Sequence, residues 1–337
     1  MCFGERKLHK IGVLGGGAWG TALAAVAARG DCETTLWARE TEVVEAINTK
    51  HENTVFLPGA NLDPGLKATN DLADLGQSDA ILLVSPAQHL RTMVRDLSTH
   101  IKTGIPLVIC SKGIEVSSGK LLSEVVAEEC PSNPVAVLSG PTFAIEVANN
   151  MPCALTLATS DEAVGAKLIE MLGQPTFRPY YNHDVVGAQI GGAIKNVLAI
   201  ATGIVAGLNI GENARAAVIT RGLAEIMRFG ELYGAERETL MGLSGLGDLI
   251  LTCSSTQSRN MSLGKAIGEG RTFADIMAER KSVAEGAHTV EIVYKIAEEK
   301  QLDLPITKAV HQILKEGQDV RIVTEALLAR PFTSESK

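Results

Sequence analysis

The chain predicts an α/β fold: a doubly wound, mainly parallel sheet followed by an all-helical C-terminal region. Three observations carry this. Short apolar runs alternate with helical patterns from residue 8 to about 182, as successive βαβ units do. From about residue 184 strand patterns stop and long stretches of helical spacing take over. The first apolar run leads directly into Gly15-Gly16-Gly17-Ala18-Trp19-Gly20, with a helical pattern after it.

The first strand is read over 8–14. Gly15 then permits a tight turn, Gly17 lets backbone approach a pyrophosphate with no Cβ in the way, and Gly20 allows the next helix to pack closely on the sheet. That helix, Ala18 to Arg29, would aim its free N–H groups and its positive dipole end at the pyrophosphate. A lone glycine pattern means little in a chain with 33 glycines. The strand before it and the helix after it make it a Rossmann-type dinucleotide grip.

The second strand, 34–38, ends where NAD-specific folds usually place an acid for the ribose hydroxyls. Here Arg39 follows. A guanidinium at this point can pair with a 2′-phosphate and stack on adenine, favouring NADP(H), with NAD(H) also accepted. The alternative is a solvated arginine beside Glu40, which could itself meet the ribose. Further strands are expected at 80–84, 106–110, 135–138 and 154–158, with 176–181 as the last. Helices are expected over 86–97 and 120–129, then over 185–208, 214–233, 290–299 and 307–315.

The 337 residues divide into an expected dinucleotide-binding region, 1–183, and a helical substrate-binding and catalytic region, 184–337; 45% hydrophobic content is ample for two cores. Net charge of −8, with no Lys/Arg-dense stretch, argues against nucleic acid as a partner. Residues 1–10 are polar and enter the first strand with no apolar signal segment, so a cytoplasmic location is expected; Met1 to Glu5 carry no assignable role. Six scattered cysteines (2, 32, 110, 130, 153 and 253) lack CxxC spacing and are expected to be reduced and mostly buried. Seven histidines show no HxH or HxxxH pairing, and no metal is expected. The apolar stretch 185–210 carries Lys195 and Asn196 near its middle, which suits a buried helix better than a membrane span.

Ligands of an open parallel sheet lie at the carboxyl ends of its strands. The residues placed there are Ser85-Pro86, Ser111-Lys112-Gly113 and Ser139-Gly140-Pro141-Thr142-Phe143-Ala144. Lys112 could meet an anionic or carbonyl oxygen, or simply be a solvated loop lysine. Lys195 has Gly191, Gly192, Leu198 and Ala199 as helical neighbours, a face with no other charge. A partly desolvated ammonium there has a lowered pKa and can exchange a proton near neutrality. A lysine reaching to the surface from a helix–helix seam remains the other reading. Asp248, closing the glycine-rich stretch 242–248, either caps a helix or holds Lys195 and a substrate hydroxyl. Ser258-Arg259-Asn260 suits a phosphate, or a surface helix start.

Taken together, GGGAWGTALA at 15–24, SKG at 111–113, SGPTFA at 139–144, AIKNVLAIATG at 193–203, NARAAVITRGLAE at 213–225, GLGDL at 245–249 and SRN at 258–260 resemble the bacterial NAD(P)-dependent sn-glycerol-3-phosphate dehydrogenases, in order over nearly the whole chain. Their GGG replaces a GxG with a small polar middle residue common among relatives, a change that keeps the backbone geometry. The resemblance implies a cytoplasmic, usually dimeric enzyme that reduces dihydroxyacetone phosphate to glycerol 3-phosphate for phospholipid synthesis. It makes Lys195 the proton-transfer residue, and places substrate around Lys112, Gly140, Thr142, Asp248, Ser258, Arg259 and Asn260. Beyond Gly15, Gly17 and Gly20, it implies cofactor contacts at Ala18, Trp19, Arg39, Lys112, Ala144, Arg259, Val283 and Glu285. In the expected mechanism Asp248 orients Lys195 and Lys112 polarises the carbonyl.

Two other readings share parts of this pattern. Dehydrogenases of the β-hydroxyacid and 6-phosphogluconate type also follow a Rossmann domain with helices and a lysine–asparagine pair, but SRN and SKG favour a phosphorylated triose over a carboxylate. A nonenzymatic NADPH-binding redox sensor would keep the glycine grip without needing a buried lysine.

Overall fold

The computed structural model describes residues 9–30, 32–279, 284–332 and 334. The first half runs β1 Lys10–Leu14, α1 Ala18–Arg29, β2 Glu33–Trp37, α2 Thr41–Lys50, β3 Lys67–Thr69, β4 Ala80–Leu83, α3 Leu90–Ser98, β5 Leu107–Ile109, α4 Leu122–Glu129, β6 Val135–Ser139, α5 Ala144–Ala148, β7 Cys153–Ala158, α6 Glu162–Leu172 and β8 Phe177–Asn182. These eight strands form one sheet in the order β3-β2-β1-β4-β5-β6-β7-β8. All neighbours are parallel except β6 and β7, which pair antiparallel. Apolar clusters cover both faces of the sheet, which is why central strands such as β4 are buried along their whole length.

From β1 the chain steps outward through β2 and β3, then returns to place β4 on the other flank of β1. A doubly wound sheet opens its crevice at such a reversal. Gly15 sits there with φ +132°, and a Cβ on it would lie 2.9 Å from the Val84 carbonyl carbon. A Cβ on Gly20 would lie 1.8 Å from Gly15 O, so α1 crosses the turn as closely as backbone allows.

The second half is helical: α7 Val185–Gly207, α8 Glu212–Leu232, α9 Arg237–Leu240, α10 Asp248–Ser254, α11 Arg259–Gly268, α12 Phe273–Glu279, α13 Gly286–Lys300, α14 Pro305–Lys315 and α15 Val320–Leu328. Asp184 starts α7 by accepting a hydrogen bond from Gly187 N at 2.7 Å. α7 is long and apolar enough to cross a membrane, yet Gly187 through Val205 are all buried, which makes it the central core helix. It meets α11 along a seam of glycines, where a Cβ on Gly203 would lie 2.1 Å from Met261 O and one on Gly264 2.0 Å from Ile200 O. Ile114 and Leu121, from the loop that carries Lys112, join this helical core and fasten the sheet to it.

The seven strands expected from sequence are present, with ends shifted by two residues at most where described. β3 was not expected. It is a three-residue edge strand with one buried side chain, too short to show alternation, and its pairing with β2 creates it. Helices α2, α5, α6, α9, α10, α11, α12 and α15 add to those expected, and the helix expected over 86–97 begins as a 3-10 turn, Ala87–His89. Cys32, Cys110, Cys130, Cys153 and Cys253 are free thiols; Cys2 lies outside the described residues.

Candidate active site

The loops after β4, β5 and β6 converge at the carboxyl edge of the sheet. Ser111 donates to Ser85 O at 2.5 Å, which ties the first two together. The Gln88 side chain clamps the loop beyond Lys112, donating to Ile114 O and accepting from Val116 N, each at 2.9 Å. Gly140, after β6, lies flush against β7, where a Cβ would stand 2.7 Å from Leu155 Cα. α7 crosses this edge on two glycines: a Cβ on Gly192 would meet Ser139 Oγ at 2.9 Å, and one on Gly191 would meet Ser244 O at 2.7 Å. Lys195 follows one turn later.

On the far side of α7, residues Leu243–Gly247 form a single π-helical turn that runs into α10. Sequence reading left Asp248 between a cap and a ligand of Lys195. Gly247 holds the cap position, and Asp248 is the first residue of α10, turned inward and buried. Lys195 Nζ donates to Asp248 Oδ1 at 2.8 Å and to Thr252 Oγ1 at 2.6 Å. Lys112 Nζ donates to the other oxygen, Oδ2, at 2.5 Å and to Gly140 O at 3.2 Å. One carboxylate therefore joins two ammonium groups, and neither lysine is the solvated alternative: the side chains of Lys112 and Lys195 are 18% and 9% exposed.

Burial pushes the Lys195 ammonium down to about 8; the Asp248 carboxylate opposes that and the Lys112 charge adds to it. For Asp248 burial favours the neutral acid, but the two ammonium groups more than offset it and hold the carboxyl below its ordinary range. The group is thus a buried acid–base pair whose lysine can give or take a proton near neutral pH.

The expected phosphate residues stand at the start of α11. Ser258 is its N-cap, accepting from Met261 N at 3.2 Å, so the helix-start reading holds for this residue. Arg259 is exposed beside it. Asn260 donates to Asn196 Oδ1 at 2.9 Å and accepts from Gly286 N at 3.0 Å, which links the neighbour of Lys195 to the start of α13. Thr142 is half-buried and donates to Gly140 O at 3.3 Å.

The residues around the glycine turn fit a dinucleotide. A Cβ on Gly17 would meet nothing within 4 Å, α1 starts with no side-chain cap on its free N–H groups, and Trp19 Nε1 is buried with no partner among the described residues. Glu285 Oε2 is likewise buried without a described partner; burial raises its pKa and Arg259 works against that. Ala144 is the first residue of α5, at the same sheet edge. Arg39 is 82% exposed and paired with Glu40 at 2.9 Å. Val283 lies outside the described residues.

A family model described as the N-terminus of NAD-dependent glycerol-3-phosphate dehydrogenase matches residues 10–165, and one described as its C-terminus matches 184–325. The chain belongs to this family. A glycerol-3-phosphate dehydrogenase [NAD(P)+] of Erythrobacter litoralis is 54% identical over 97% of this chain and 98% of its own length. That of Rhodospirillum rubrum is 55% identical, over 97% and 94%. The crystal structure of glycerol-3-phosphate dehydrogenase from Coxiella burnetii is 40% identical and superposes with a TM-score of 0.92, covering 96% of this chain and 99% of that one.

Two features of the molecule have little or no signal in the sequence. Thr252 is the second partner of Lys195; its only sequence signal is a position four residues after Asp248, meaningful once 248–254 is known to be helical. A cavity of about 680 Å³ opens between α7, α8, α14 and α15, walled by Ile204, Val218, Ile306, Val310 and Leu327 with Glu225 and Arg228 among them. It contains none of the expected site residues.

Proposed function

We propose that the protein reduces dihydroxyacetone phosphate to sn-glycerol 3-phosphate, with the carboxylate shared by Lys112 and Lys195 as the observation that carries the reading. NADPH or NADH, when bound, supplies the hydride for the ketone carbon. Lys195 then gives its proton to the ketone oxygen as charge develops there, and accepts it back in the reverse direction. Asp248 and Thr252 take two of the ammonium's three protons and leave one for the ketone. Lys112, less buried than Lys195, polarises the carbonyl. Arg259 holds the phosphate, with Ser258 and Asn260 setting the helix start that presents it, and Gly140 and Thr142 complete the substrate wall.

Gly15, Gly17, Ala18, Trp19 and Gly20 would hold the pyrophosphate end of the cofactor and Arg39 its ribose, with Lys112, Ala144, Arg259, Val283 and Glu285 along the rest. In this reading residues 1–183 bind cofactor and 184–337 bind substrate and carry the proton. The family resemblance supports a cytoplasmic homodimer that supplies glycerol 3-phosphate for phospholipid synthesis. The deciding experiment follows oxidation of NADPH and NADH by absorbance with dihydroxyacetone phosphate, against 3-hydroxyisobutyrate and 6-phosphogluconate with NADP⁺. Turnover of the triose phosphate alone is expected; turnover only of a hydroxy acid would replace the substrate.

A further inference from the structure

We propose that Asn53 is a positioning residue for the cofactor: from a loop between α2 and β3 it holds the Gly16 carbonyl inward and thereby aims the Gly17 N–H at an anionic diphosphate. The inference deepens the dinucleotide reading of residues 15–20 and rests on it.

Asn53 is fully buried. Its Nδ2 donates to Gly16 O and to Thr21 Oγ1, each at 2.8 Å, and its Oδ1 accepts from Phe56 N at 3.0 Å. Both amide protons are thus committed within the protein, so Asn53 acts on a ligand only through the turn. The peptide joining Gly16 and Gly17 is trans, and in a trans peptide the carbonyl and the N–H point in opposite directions. Drawing Gly16 O into the interior therefore turns Gly17 N–H outward, at the start of α1 and beside the open space where a Cβ would meet nothing.

Why the turn needs such a hold follows from its composition. Glycines flank this peptide on both sides, and no Cβ resists its rotation. Flipped, it would set a carbonyl oxygen toward the anion in place of a donor. The loop that carries the restraint is itself fixed: Leu57 N donates to Asn53 O at 3.0 Å, Leu62 N donates to His51 O at 2.8 Å, and Leu57, Ala60 and Leu62 are buried in the sheet's core.

The test uses Asn53→Asp in the full chain, which keeps the shape and the acceptor for Phe56 N but removes both donors. Binding of ADP-ribose, which contains the diphosphate, and of adenosine 2′-phosphate, which does not, is measured together with kcat and the KM for NADPH. Expected is a loss of about tenfold or more in ADP-ribose affinity and a rise of similar size in the KM for NADPH, the size of one hydrogen bond to an anion. Adenosine 2′-phosphate affinity and kcat at saturating cofactor stay unchanged. Equal loss for both ligands, or no loss for ADP-ribose, overturns the inference. Should the Asp variant not fold, hydrogen exchange in the wild type decides: ADP-ribose slows exchange in residues 16–20 and adenosine 2′-phosphate does not, and equal protection by both overturns it. A wild type that binds neither ADP-ribose nor NADPH overturns the dinucleotide reading itself.

Discussion

Lys195 Nζ and Asp248 Oδ1 lie 2.8 Å apart, across 53 residues of sequence and in a site where both side chains are buried. Burial and carboxylate pull the lysine pKa in opposite directions and leave it near 8. Reduction of a ketone requires the protonated form, so kcat/KM for the ketone should be level at lower pH and fall through about pH 8. Asp248→Asn removes the opposing charge while burial persists. The falling limb then moves to lower pH by about one unit or more, and turnover at pH 8 drops by about fivefold or more through loss of the protonated lysine. A pH–rate profile checks both, and an unmoved limb would remove Lys195 as its source.

Lys112 acts on the same titration with the opposite sign. Its charge lowers the Lys195 pKa, so Lys112→Met should move the limb to higher pH even as turnover falls from loss of the polarising group. Lys195→Met should have no such limb at all, with kcat down by about 100-fold or more and NADPH affinity kept.

Arg39 holds an exposed pair with Glu40. Such a pair is worth roughly 0 to 1 kcal/mol, so a 2′-phosphate can take the guanidinium from it at little cost. Arg39→Asp should therefore lower the preference for NADPH over NADH by about tenfold or more in kcat/KM, measured with both cofactors. An unchanged ratio would leave Arg39 a solvated residue.

Glu225, on α8, sets its carboxylate against the start of α14, where it accepts from Ile306 N at 2.6 Å, Thr307 N at 3.0 Å and Thr307 Oγ1 at 2.8 Å. Burial nevertheless raises its pKa to about 7 from an ordinary 4.5. The folded protein thus keeps a proton that the unfolded chain has lost, and this stabilising difference is full below about pH 4.5 and is lost as pH rises to about 7. The span is about 3 kcal/mol at most. Glu225→Gln should be less stable throughout, and denaturant unfolding from pH 5 to 7.5 should lack the decline seen in the wild type.

The legible parts of this molecule are those in which sequence neighbours do the work. The strand, the glycines and α1 lie within residues 10–29, so the grip could be read from spacing alone. Lys195 was visible because an ammonium among Gly191, Gly192, Leu198 and Ala199 contradicts its own helix face. Asp248 is one of two readings from sequence, but Thr252 is not legible, because it reaches Lys195 only through packing of α7 against α10, and neither is the meeting of Lys112 with the same carboxylate at the sheet edge. The glycines of the stretch 242–247 do not announce the π-helical turn they form; at Gly245 the glycine serves close packing, since a Cβ there would stand 2.0 Å from Leu240 O. Asn53 gave no signal at all, as a single polar residue in a loop whose partners are 32 and 37 residues away.

The shared carboxylate is also a fastening. Asp248, on α10, accepts from Lys112 at the sheet edge and from Lys195 on α7, so one buried counter-ion joins three separate parts of the chain. Without its charge two ammonium groups would remain in the same pocket with nothing between them to neutralise either, and the junction of sheet and helices would be strained by the residues that give it its chemistry.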